Sequence, residues 1–225
     1  METNVLSIVL YGSKARKDND TNSDLDLCVL TKERGDNELL QLENNDFLYD
    51  FHNEELTLTY YSESVVNSML EHGSLFLWHL KLEGKVLYGE EYLTSKLASL
   101  KPFKSHRDDI LYHASLFSDL LKSWNSVFIP NEFDLSVLFT ISRNTCMVLS
   151  HRVGKPSFGR VGSFITAKEV FPDIPMSLEQ YMHLSNWKII YERNANNRLP
   201  LPNQVEYNQL LTITEDLLSY ALSKI

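Results

Sequence analysis

Between Leu10 and Leu30 the chain reads LYGSKARKDNDTNSDLDLCVL, and no other stretch restricts the possible folds so much. Two apolar runs of strand character, VLSIVLYG (5–12) and DLDLCVL (24–30), flank a polar insert. The insert opens on Gly12-Ser13 and closes on Asp24-Leu25-Asp26. Residues two apart on a strand share a face. Asp24 and Asp26 therefore project together, while Leu25 and Leu27 turn the other way into a core. Adjacent carboxylates raise each other's pKa, and a divalent cation is what makes such a pair worth keeping. Few carboxylates, with the remaining positions left to water and phosphate, describe a Mg2+ site for nucleotide chemistry. Two metals there would activate an attacking oxygen and stabilise a leaving pyrophosphate.

Gly12 and Ser13 fall where the first strand must turn. Glycine permits a tight turn and the close approach of a phosphate to the backbone. The N–H groups that follow, at a short helix start, suit phosphate oxygens, and the Ser13 hydroxyl adds a donor. Lys14, Arg16 and Lys17 supply positive charge nearby, and the sequence leaves open which of them faces the site.

The rest of the first hundred residues mixes strand and helix signals. NELLQLENN (37–45) has helical spacing, and ELTLTYYS (55–62) alternates and is rich in β-branched and aromatic residues, so it reads as a third strand. Ser62 is placed to cap a helix that Gly73 closes. A second apolar helix ends at Gly84, KVLYG (85–89) forms a small strand, and EEYLTSKLASL a further helix. Pro102 marks a boundary. Beyond it the pattern is helical, over about 105–125, 132–152, 162–171, 177–194 and 204–224. The fold class is therefore α+β: residues 1–100 form a mixed sheet with helices, and residues 101–225 an all-α bundle.

GSKARKDNDTNSDLDL resembles the Gly-Ser, ten-residue spacer, Asp-x-Asp signature of the nucleotidyltransferase superfamily, the fold shared with DNA polymerase β. Its GSxAR and SDLDL forms are similar to those of small bacterial nucleotidyltransferases and antibiotic adenylyltransferases. The resemblance implies Mg2+-dependent transfer of a nucleoside monophosphate, AMP from ATP, to a hydroxyl of a small acceptor. It makes Asp24 and Asp26 the metal ligands and places Gly12, Ser13 and Arg16 at the nucleotide. The family also has a third carboxylate on a neighbouring strand, as metal ligand or as base for the acceptor hydroxyl. Strand parity selects Glu55; alignment by the strand's end selects Thr57, which carries no acid. The segment GSLFLWHLKLEGKVLYG (73–89) resembles the family's EGxxLY turn, with an architectural role. Most members have a helix before the first strand, whereas this chain reaches its strand at Val5.

In the helical half, residues 138–172 resemble the C-terminal domain of streptomycin/spectinomycin-type adenylyltransferases, which closes one side of the cleft. Basic residues there help hold the triphosphate. Arg143 lies within an apolar helix, where a charge costs free energy unless paired or in contact with a ligand; both roles stay open. Arg160 stands where the family has Lys after Ser, and a guanidinium offers a forked donor in its place. The rival resemblance is to the small helical RNases that accompany minimal nucleotidyltransferases. It needs an Arg, then four to six residues, the first of them polar, and then a His, but seven residues separate Arg143 from His151. On a helix that sets them about 80° apart, off the pattern. Transfer to a protein or RNA, and nucleotide binding without turnover, are the other readings of the whole chain.

The net charge of -9 argues against nucleic acid held on a basic surface, which needs clustered Lys and Arg. It suits a cationic acceptor such as an aminoglycoside. No apolar run reaches the roughly 20 residues that span a bilayer, and the N-terminus has no basic n-region. Cys28 and Cys146 fit a reduced, cytoplasmic setting as small apolar residues. The partners expected are a nucleoside triphosphate and a small acceptor, without membrane. Trp78, Trp124 and Trp187 lie in apolar helical patterns and read as core. His106 and His113, seven apart, share a helix face without making a zinc site.

Overall fold

The apolar run after Asn4 forms β1 (Val5–Tyr11), and Gly12 turns it at once into α1 (Gly12–Arg16), a helix of five residues. In this computed structural model the residues described are 4–18, 24–33, 56–123, 131–193 and 200–225. The helix expected over 37–45 lies outside them, as does Trp124. Strand β2 (Leu25–Thr31) follows, then β3 (Leu56–Ser62), α2 (Glu63–His72), α3 (Leu75–Glu83), β4 (Lys85–Tyr88) and α4 (Glu90–Ala98). By internal packing the chain divides into two compact units, Met1–Lys104 and Ser105–Ile225.

The first unit holds a four-stranded mixed sheet in the order β3-β2-β1-β4. Strand β1 runs antiparallel to both β2 and β4, and β2 runs parallel to β3. Strands β1 and β2 are apolar on both sides because each side is buried. One side carries Val9, Cys28 and Leu30 against Val66, Leu70, Leu77, Leu80, Leu93 and Leu97 of α2, α3 and α4. The other gathers Ile8, Leu10, Leu25, Leu27 and Val29 with Ala15 of α1. Each fully buried Leu in these clusters contributes about 1.5–3 kcal/mol relative to exposure. Asp24 and Asp26 continue the row of Cys28 and Leu30, so they stand where the first of these two cores ends. Ser62 does occupy the position before α2, but its hydroxyl pairs with Ser64 Oγ and leaves the helix end uncapped by a side chain. Ser74 caps α3, accepting from the Phe76 N–H at 3.2 Å.

The second unit is helical throughout its described residues: α5 (His106–Ser123), α6 (Glu132–Arg152), α7 (Gly162–Val170), α8 (Leu178–Arg193) and α9 (Gln204–Lys224). Helix α6 is its axis, and the other four all pack on it. A helix surrounded in this way is buried all round rather than along one stripe. Leu135, Leu138, Ile141, Cys146 and Leu149 are buried, and so are Ser142, Thr145 and Ser150. The small hydroxyls let neighbouring helices approach, and several are bonded within the unit. Thr145 Oγ1 lies 3.2 Å from His113 Nδ1. Trp187 is buried as well, in agreement with a core role.

Burial pushes the His113 imidazole down from its ordinary value to about 4. Between pH 6.5 and 4 the unfolded chain therefore binds a proton at this position that the folded chain refuses. Stability is present above pH 6.5 and is lost as pH falls through that window, by about 3 kcal/mol at the lower end. His113→Gln should flatten the decline of the urea midpoint between pH 6.5 and 4.

Candidate active site

The site begins where β2 begins. In register, Asp26 stands opposite Tyr11 on β1 and Thr57 on β3, and Cys28 opposite Val9 and Thr59. Paired residues point to one face, so Tyr11, Asp26 and Thr57 form a row across three strands. Thr57 Oγ1 donates to Asp24 Oδ2 at 2.7 Å. The row beside the two aspartates thus ends in a neutral hydroxyl on β3. Among the described residues no third His, Cys, Asp or Glu joins Asp24 and Asp26 in a metal-sized cluster. Glu55 lies outside the described residues.

Gly12 closes the spacer between turn and strand. It adopts φ +72°, and a Cβ built on it would come 2.1 Å from Asp26 Oδ2. The carboxylate therefore rests against bare backbone, and a side chain at position 12 would have to displace it. A turn of one residue thus brings Gly12 against the Asp-x-Asp element. Ser13 and Lys14 are half-buried beside it and Lys17 is exposed.

Tyr11, the residue before the turn, is fixed from three sides. Its hydroxyl lies 3.0 Å from Thr59 Oγ1. Its ring stands edge-on to Phe76 at 5.4 Å and to His79 at 5.7 Å. Burial pushes the phenol up to about 12, the Thr59 hydrogen bond offsets part of this, and the nearby Asp26 charge adds to it. The phenol is therefore neutral at physiological pH. Nothing in the sequence distinguished Tyr11 from any strand-end aromatic; the register is what places it at the site.

Arg16 is directed at two carboxylates. Its Nη1 donates to Glu83 Oε2 at 3.0 Å and its Nε to Asp18 Oδ2 at 3.0 Å. His79 Nε2 lies 3.2 Å from the same Glu83 oxygen. Burial alone would raise the Glu83 carboxyl, but the hydrogen bonds from His79 and Arg16 outweigh it and hold the group below the usual carboxylate range.

In the second unit Arg143 Nη2 donates to the Phe158 carbonyl at 2.6 Å. The Tyr181 hydroxyl donates to the Arg160 carbonyl at 2.5 Å. Burial raises the Tyr181 phenol, and the Arg143 and Arg160 charges lower it in part, so both guanidiniums lie within electrostatic reach of that hydroxyl. Arg143 thus ties α6 to the segment before α7. A hydrogen bond from a charged group contributes about 1.5–3 kcal/mol. Arg143→Met, which keeps the side-chain volume, is expected to lower stability by about that amount, read as a lower urea midpoint. His151 Nδ1 meets His106 Nε2 at 3.2 Å. His106 and His113 part company too, one toward His151 and the other toward Thr145.

Residues 1–92 match the family model "Polymerase beta, Nucleotidyltransferase". The first unit is therefore a nucleotidyltransferase domain of the polymerase β type, and a run of helices follows it. Among solved structures the chain is similar to the spectinomycin adenyltransferase AAD(9) from Enterococcus faecialis, determined with ATP and spectinomycin. The TM-score is 0.51 at 15% identity, over 96% of this chain and 92% of that one. At this identity the likeness is one of fold, and it extends through both units. No curated protein matches the chain. Among the described residues no helix is long and apolar enough to cross a membrane.

Proposed function

We propose that this chain transfers AMP from ATP to a hydroxyl of a small acceptor and releases pyrophosphate. The observation that carries the reading is the contact between Asp26 and the bare backbone of Gly12, which sets one carboxylate of the Asp-x-Asp pair against the Gly-Ser turn. The donor set suits Mg2+: it is all oxygen, and it consists of two carboxylates on one strand face. Asp24 and Asp26 would hold that ion, which when bound neutralises charge on the phosphates and the leaving group.

The chain's own residues do the rest. Gly12 and Ser13 receive the β- and γ-phosphates, and Thr57 keeps Asp24 oriented toward the row. The acceptor oxygen bonds to the α-phosphorus. The bond from that phosphorus to the bridging oxygen breaks, and its electron pair leaves with pyrophosphate. The acceptor proton passes to a carboxylate base, a role assigned to Glu55. The acidic balance of the chain favours a cationic acceptor of the aminoglycoside class.

The neutral Thr57 beside Asp24 supports a second reading, a module that binds nucleotide without turnover. One experiment separates the two. The protein is incubated with Mg2+ and labelled ATP, alone and with a panel of aminocyclitols and aminoglycosides, and pyrophosphate and labelled acceptor are measured. Labelled acceptor that vanishes in Asp24→Ala supports transfer. Tight ATP binding without pyrophosphate from any acceptor supports the second reading, and label appearing on the protein itself would overturn the small-molecule acceptor.

A further inference from the structure

A five-residue helix has no stability of its own in water, because nucleating a turn costs more than its few hydrogen bonds return. Helix α1, which carries the Gly12-Ser13 turn, is such a helix. It ends on Lys17 in the left-handed region (φ 65°), a conformation that strains a residue with a side chain. Something outside α1 must hold it, and the geometry points to Glu83.

We infer that Glu83 is a positioning residue for the phosphate-binding turn, acting through Arg16 on one side and through His79 on the other. The inference rests on the functional reading above. Glu83 closes α3 and is a hub. One of its oxygens takes Arg16 Nη1 at 3.0 Å and stands 3.2 Å from His79 Nε2. The Arg16, Glu83 and His79 side chains are only 18%, 18% and 9% exposed, so solvent screens these contacts little. Arg16 is the last residue of α1. His79 stands edge-on to Tyr11, the residue immediately before Gly12. One carboxylate therefore braces the turn at both flanks, α1 after Gly12 and Tyr11 before it. Arg16, with Nε on Asp18 and Nη1 on Glu83, serves as a strut of the turn, and the phosphates are left to Gly12 and Ser13.

The test has two arms. The first needs no ligand: amide hydrogen exchange of Ser13–Asp18 in Glu83→Gln, referred to amides of β1 and β2 in the same sample. Exchange in α1 about tenfold faster, with the strands unchanged, is expected. Unchanged exchange in α1 would overturn the inference. The second arm is a cycle of MgATP affinities for Glu83→Gln, Arg16→Met and the double variant. Each single change should weaken binding about tenfold, and the double no more than the worse single, because both cut one strut. Additive losses, about a hundredfold, would mean that Glu83 does not act through Arg16 and would overturn the inference. Wild-type protein that binds no MgATP would sink the functional reading instead, and the exchange arm alone then decides whether Glu83 holds the turn.

Discussion

Asp26→Asn should reduce nucleotide transfer by about a thousandfold or more while leaving the melting temperature unchanged or raised. The asparagine keeps the shape that rests against Gly12, so the turn and the sheet register have no reason to shift. What is lost is one of the two negative charges that hold the metal at the phosphates. Charge stabilisation of that kind contributes several kcal/mol to the transition state, and about 4 kcal/mol is a thousandfold in rate. Asp24 and Asp26 are both half-buried on one strand face, where like charges repel. Removing one charge relieves that repulsion, which is why stability should hold or rise as activity falls. Pyrophosphate release and a thermal melt on the same preparation check both halves. A melt lowered by several degrees with transfer intact would make the pair a structural feature.

Much of this could be read from the residues, for a physical reason. Strand parity fixes faces, so Asp24 with Asp26, and Leu25 with Leu27, followed from position alone. The helices of both units were legible because their joints carry Pro or Gly and their faces repeat. Helix α6 is the instructive exception: its sequence read as an apolar helix, but did not show that four helices surround it and bury serines and threonines with its leucines. The site's second layer was not legible, because it is assembled by pairings distant in sequence. Thr57 meets Asp24 across 33 positions, and Arg16 meets Glu83 across 67. Spacing within a motif carries no information about such partners. The Glu of the EGxxLY segment was visible as part of a resemblance, but only the fold shows that it faces Arg16.

Gly12→Ala should cost both stability and activity, and the two losses can be told apart. At φ +72° alanine adopts a left-handed conformation at a cost on the order of 1 kcal/mol. Steric contact costs more: the new Cβ would lie 2.1 Å from Asp26 Oδ2 and 3.0 Å from its Cγ, far inside van der Waals distance. Either the carboxylate rotates away from the turn or the turn lifts from the strand. In both cases the carboxylate and the phosphate-receiving backbone lose their mutual placement, and a displacement of about 1 Å in such a site costs on the order of a hundredfold in rate. Total destabilisation of about 2–3 kcal/mol is expected, measured by urea unfolding. In the Asp26→Ala background the clashing oxygen is gone, so Gly12→Ala should then cost only the backbone strain. A coupling of about 1–2 kcal/mol between the two positions is the expected outcome of that cycle. Simple additivity would mean that the turn tolerates a side chain, and that glycine is there for its backbone angle alone.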